Sequence, residues 1–170
     1  MSPTNTIWPD HPAPNAVTAW VETLFSLLDS KDPSAPEKVA ALYVEDAVVY
    51  GMAGKAVGTE GPLPHLLERT EERELRLIMV RLAIVKARQN SWAHMDSRKH
   101  EVLRVYSSKN DFSDLLLIGR LSARFKNGKE VTDDFIVRLV FQGDTGLDPK
   151  GSLYQIWADS APWVKAIQGN

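Results

Sequence analysis

From Asn15 to about Ser30 the apolar residues recur at steps of three and four. Val17, Trp20, Val21, Leu24 and Leu28 share one stripe, which predicts an amphipathic helix with Asn15 placed to cap its first amides. A second helix is predicted from about Ser34 to Val44. Ser34 and Glu37 have capping-box spacing, Pro36 fills a first-turn position where a missing amide costs nothing, and Val39, Leu42 and Tyr43 form the inner stripe. "EDAVVYG" and "KAVG" then read as short strands around the turn "GMAG", and Thr59 and Pro62 open a third helix with Leu63, Leu66, Leu67 and Thr70 inward.

The block Arg73 to Gln89 fits two templates. Leu75, Ile78, Met79, Leu82 and Val85 make a helical stripe, yet other apolar and β-branched residues lie off it, so strand stays open. Flanking Glu, Arg and Ala favour helix. Beyond it the period becomes two. "RKHEVLRVYSS", "DLLLIGRLSARF", "EVTDDFIVRLVF" and "SLYQIWAD" read as four strands. "KNGK" joins two of them as a hairpin with an Asn-Gly primed turn, and "APWVKAIQ" ends the pattern in a short helix. Helices grouped against one face of a long antiparallel meander make an α+β domain spanning residues 15–170. Four prolines among the first fourteen residues mark an extended arm, 1–14.

Composition narrows the function. Hydrophobic residues make up 44% of 170, enough for one buried core. A net charge of -2 argues against nucleic acid or an anionic membrane as partner. There is no cysteine, hence no disulfide, thiolate nucleophile or cysteine metal site. The N-terminus lacks a basic and an apolar region of secretory type, and no apolar run is long enough to span a bilayer, so a cytoplasmic protein is expected. His11, His65, His94 and His100 show no i, i+4 ligand spacing and no HExxH, so no metal is expected. No phosphate loop or nucleophile elbow is present, and no cofactor is expected.

The order of elements carries a resemblance. Two helices lead into "LYVEDAVVYGMAGKAVGTEG", then a histidine-headed strand "KHEVLRV" opens a meander that ends in "LYQIWAD". Over about residues 15 to 165 this resembles the nuclear transport factor 2-like superfamily in its SnoaL-like branch. The resemblance implies a cone-shaped fold, a bent sheet around helices with an apolar cavity. It also implies a small apolar ligand. Members include polyketide cyclases, ketosteroid isomerases, scytalone dehydratases, epoxide hydrolases and binding modules without chemistry, so the fold does not choose the function. The block 73–89 departs from the family as an insertion.

Similarity to scytalone dehydratase-like members implies three site residues. His100 falls at the catalytic histidine, Tyr50 at a tyrosine that polarises a carbonyl, and Asp29, in "LDSKD", at the pocket aspartate that would orient the histidine. No second histidine is present in "GRLSARF", Leu28 replaces a second tyrosine, and Gly51 stands where ketosteroid isomerases place their aspartate. On a strand of period two, Asp133 shares a face with Phe135, Val137, Leu139 and Phe141, and Asp134 faces away with Arg138. A one-residue shift exchanges the two acids. If the Asp133 face lines the cone, Asp133 is a further acid or base. Each polar candidate also has a plain reading: a core histidine, a core tyrosine, solvent-facing acids. The bulky residues expected to meet a ligand are Trp20, Tyr43, Met52, Trp92, Phe135 and Trp157, and core packing is the plain reading of each. Apolar outward positions Leu116, Ile118, Ile136 and Val140 predict a homodimer through the sheet. Two functions follow. One is a cofactor-independent cyclase, isomerase or dehydratase acting on a polyketide- or terpenoid-like metabolite. The other is a binding or interaction module.

Overall fold

The computed structural model describes residues 6–51, 54–57, 85–86 and 92–168. The third helix expected after Thr59, His65, Met52 and most of the block 73–89 lie outside these residues; within that block Val85 and Lys86 have helical backbone. The elements are α1 (Asn15–Leu28), α2 (Ala35–Ala40), β1 (Tyr43–Gly51), β2 (Gly54–Val57), β3 (Met95–Ser107), β4 (Asp114–Phe125), β5 (Glu130–Gln142), β6 (Lys150–Ala158) and α3 (Ala161–Gln168). The described strands form one curved sheet in the order β2-β1-β6-β5-β4-β3. Every neighbouring pair is antiparallel except β1 with β6, which is parallel.

Alternation along β4 and β5 assigns the two faces. Leu115, Leu117, Leu121 and Ala123 are buried with Phe135, Val137, Leu139 and Phe141, and α1 lays Val17, Trp20, Val21, Leu24 and Phe25 against this inner face. The outer face holds Arg120, Arg138 and Asp134, with an exposed apolar patch of Tyr106, Leu116, Ile136 and Trp157.

Several local readings need correction. Pro14 is the N-cap of α1 without a side-chain cap, and Asn15 is already helical. Helix α2 also lacks the capping box. Instead Asp32 accepts from the Ser34 amide at 2.9 Å and its hydroxyl at 2.9 Å, an Asx turn. The helix ends four residues before the predicted Val44. The sheet claims the chain there: Gly151 donates to the Leu42 carbonyl at 2.9 Å, the Trp20 indole donates to the same oxygen at 3.2 Å, and Tyr43 pairs with Gly151 as the first residue of β1. In the "KNGK" hairpin only Gly128 takes positive φ, and Gly128 donates to Phe125 O at 2.9 Å. This is a type I turn with a glycine bulge, not a primed turn. The arm is not free either. Ile7 donates to Leu103 O at 3.0 Å and accepts from Val105 at 2.9 Å, a short parallel bridge on the β3 edge.

A bulge decides what β3 presents. Its register with β4 shifts between Val102 and Arg104. Before the shift, His100 and Val102 face inward with Leu121 and Gly119; after it, Val105 faces inward while Arg104 and Tyr106 face out. The uninterrupted alternation that would place His100, Arg104 and Tyr106 on one face does not hold.

Two glycines make room for rings on the inner face. The Phe135 ring lies over Gly119, where a Cβ would stand 2.3 Å from Phe135 Cζ. At Gly151 a Cβ would meet Tyr43 at 2.7 Å and Trp20 at 2.9 Å. Gly119→Ala is expected to displace the Phe135 ring and cost about 1–3 kcal/mol, as overpacking does, read from urea unfolding. A Phe135→Leu background should remove most of that cost.

Candidate functional site

Asp29 is the C-cap of α1, its amide bonded to Phe25 O at 3.1 Å. Its side chain leaves the helix end toward β3. Because β3 is the edge of the described sheet, the outward amide of His100 has no strand to bond, and Asp29 Oδ2 accepts from it at 2.7 Å. The other oxygen, Oδ1, lies 2.5 Å from His100 Nδ1. One carboxylate thus holds both the backbone and the ring of His100. A carboxylate at Nδ1 favours the tautomer that carries hydrogen there, which leaves the Nε2 lone pair as the basic position. The His100 side chain is 10% exposed and that of Asp29 21%.

Aromatic rings surround the imidazole. Phe25 lies 5.5 Å away between centroids and Phe135 5.7 Å, edge to face. Across the inner face His100 is in register with Leu121, and Leu121 with Asp133. Asp133 therefore faces the same side, half-buried, two strands from His100 or about 10 Å between backbones. Its Oδ1 accepts from the Asp134 amide at 2.8 Å. Asp134 faces outward, as one of the two registers required, but its partner is Arg120 at 2.8 Å rather than Arg138.

Arg98 adds a cation beside the pair. Its Nε lies 3.7 Å from Asp29 Oδ1, its Nη2 donates to Leu28 O, and its guanidinium stacks on Trp92 at 4.5 Å. The Trp92 indole donates to Ser30 O at 3.0 Å. Trp92 is thus at the rim of the site, engaged with the chain itself.

The remaining candidates separate from this group. Tyr50 stands in register with Gln155, Gln155 with Arg138, and Arg138 with Leu116. That row is the outer face, and the inner position belongs to Val49 beside Tyr154, so the hydroxyl of Tyr50 does not share a face with His100. Trp157, beside Ile136, is also on the outer face and 48% exposed. Trp20 and Tyr43 are core residues. Their rings meet edge to face at 5.6 Å, Trp20 meets Phe141 at 4.8 Å, and both close over Gly151. A hollow of about 240 Å³ lined by Lys99, Ser122, Arg124 and Thr132 also belongs to the outer face. Among the described residues no cluster of His, Cys, Asp or Glu could hold a metal ion. No described helix is long and apolar enough to cross a membrane.

Sequence reasoning missed Phe25 and Arg98. Phe25 extends the helical stripe by one position from Leu24. Arg98 lies two residues before His100 and faces inward with Ala123, a placement that counting back by two would have found.

No protein-family model matches the chain, and no curated protein matches it in sequence. Solved structures do match. A nuclear transport factor 2-like protein of unknown function from Burkholderia pseudomallei is 13% identical, with a TM-score of 0.56 over 90% of this chain and 98% of that one. A protein provisionally described as a scytalone dehydratase, from Novosphingobium aromaticivorans, is 15% identical, with a TM-score of 0.56 over 85% and 82%. A hexachlorocyclohexane dehydrochlorinase of type 2 is 12% identical, with a TM-score of 0.51 over 85% and 86%. The fold is the nuclear transport factor 2-like fold. At these identities the likeness is one of fold.

Several shifted carboxyls lie apart from the site. Lys38 and Ser34 hold the exposed Asp32 at about 2. At the start of β4 Arg138 grips Asp114 in a fork of 3.0 and 2.8 Å and holds its carboxyl below the ordinary 3.8. A depressed folded value means the contribution is fully present above pH 3.8 and is lost as pH falls through the folded value. Asp114→Asn should therefore lower the urea midpoint at neutral pH, and its deficit against the native chain should shrink steadily on acidification below pH 3.8.

Proposed function

We propose that the protein is a cofactor-independent lyase or isomerase in which His100 acts as general base on an apolar, oxygenated small molecule. The observation that carries this reading is the Asp29–His100 pair, with Asp29 on Nδ1 at 2.5 Å and the ring set between Phe25 and Phe135. Such a pair in apolar surroundings is the arrangement by which an imidazole is oriented to accept a proton. Nε2 would take a proton from carbon beside a carbonyl. The electron pair left on carbon then either expels a β-substituent, giving an elimination, or is reprotonated at another carbon, giving an isomerisation. Asp133, on the same face, is the second proton carrier. The phenyl rings favour a flat, conjugated skeleton of polyketide or terpenoid type. One neighbour of the same fold supports an oxygenated ligand, TerC, whose structure was obtained with polyporic acid, and the dehydrochlorinase supports elimination chemistry in this fold.

The test is turnover of a panel of enolisable aromatic and cyclic ketones. With any substrate found, His100→Ala should lower kcat/KM by about 10²-fold or more, Asp29→Asn should lower it strongly, and Asp133→Asn should lower it less. Tyr50→Phe should leave it unchanged, since Tyr50 faces the other side of the sheet. An undiminished His100→Ala variant would overturn the proposal. Tight binding of the panel without turnover would favour a binding module instead.

A further inference from the structure

Three consecutive residues at the end of α1 are each pinned by a different side chain. Arg98 takes the Leu28 carbonyl, His100 takes the Asp29 carboxylate, and Trp92 takes the Ser30 carbonyl at 3.0 Å. Two of these three come from β3, and Arg98 and Trp92 are themselves stacked at 4.5 Å. The last turn of α1 carries no basic residue of its own, so Arg98 brings a cation to the negative end of the helix from another element. Its side chain is 8% exposed, which a solvated arginine on an edge strand would not be. Its Nε also stands 3.7 Å from Asp29 Oδ1, within ion-pair range.

We propose that Arg98, placed over the Trp92 ring, is a positioning residue that keeps Asp29 seated on His100 Nδ1. Asp29 stands where α1 has ended, with only its C-cap amide bonded back to the helix. Its carboxylate leaves the helix end and is seated by the His100 amide at 2.7 Å and the His100 ring at 2.5 Å. The planar guanidinium restricts it from two sides, by fixing the preceding carbonyl and by placing positive charge beside Oδ1. Lysine could supply the charge but not the stacked, forked geometry. Trp92 supplies the platform and ties it to the next residue along. Lys31 Nζ also lies over the Trp92 ring, at 5.2 Å, so the indole carries two cations. Arg98 acts through Asp29.

The inference rests on the proposed function only for its catalytic consequence. The test needs no substrate. In protein labelled with ¹⁵N-histidine, long-range proton–nitrogen spectra report which ring nitrogen of His100 carries hydrogen. The native chain should show a single Nδ1–H tautomer for His100. In Arg98→Met the two ring nitrogens should move toward averaged shifts, with the protein still folded by its unfolding transition. Arg98→Lys should fall between the two. A folded Arg98→Met variant with the native tautomer, whatever its loss of thermal stability, would overturn the proposal and leave Arg98 a structural residue only. Should Arg98→Met not fold, Trp92→Leu removes the platform and keeps the cation, and is read by the same criterion. Failure of all turnover assays would sink the proposed function and leave this spectrum decisive for Arg98.

Discussion

Asp29 joins the end of the first helix to the edge strand of the sheet, and the site depends on that joint. The carboxylate bonds the backbone and the ring of the same histidine at 2.7 and 2.5 Å. A hydrogen bond to a charged group is worth about 1.5–3 kcal/mol where solvent is largely excluded. The Arg120–Asp134 fork of the outer face is exposed on both sides, is screened by solvent and contributes less. The same contact also orients the imidazole. Packing and candidate chemistry therefore share one interaction, and a change that loosens one loosens the other.

The rest of the site is made by what the inner face admits. Gly119 lets Phe135 lie flat on β4, and from there the ring reaches the imidazole edge. Phe25, the residue after Leu24 in the α1 stripe, meets the imidazole and Phe135 as well. The bulge at Leu103 allows β3 to turn His100 and Val102 inward and still return Val105 to the core. Without that extra residue, period-two alternation would bury Arg104. The bulge thus reconciles a polar inward residue at one end of β3 with a core residue further along.

The α+β order of elements, the four-strand meander and the inward register of Phe135, Val137, Leu139 and Phe141 were legible from hydrophobic periodicity. So was a histidine on the first strand of the meander, although β3 begins five residues before it, at Met95. Other features were not. A bulge inserts a residue without any local composition signal, so the face of Arg104 and Tyr106 could not be read by counting. Tyr50 entered the site by family resemblance alone, yet pairing with β6 puts Val49 inward and Tyr50 outward. Helix α2 carried good helix formers through Leu42, but strand pairing at Tyr43 overrode them. The role of Arg98 was not legible because its partners, a carbonyl and a ring from distant segments, exist only in the folded chain.

The central claim is that Asp29 and His100 act as one unit. A double-mutant cycle with Asp29→Ala, His100→Ala and both together, measured by urea unfolding at neutral pH, tests it most directly. The two changes are expected to couple by about 1–3 kcal/mol, so that the second costs far less once the first is made. Additive costs, agreeing within about 0.5 kcal/mol, would contradict it.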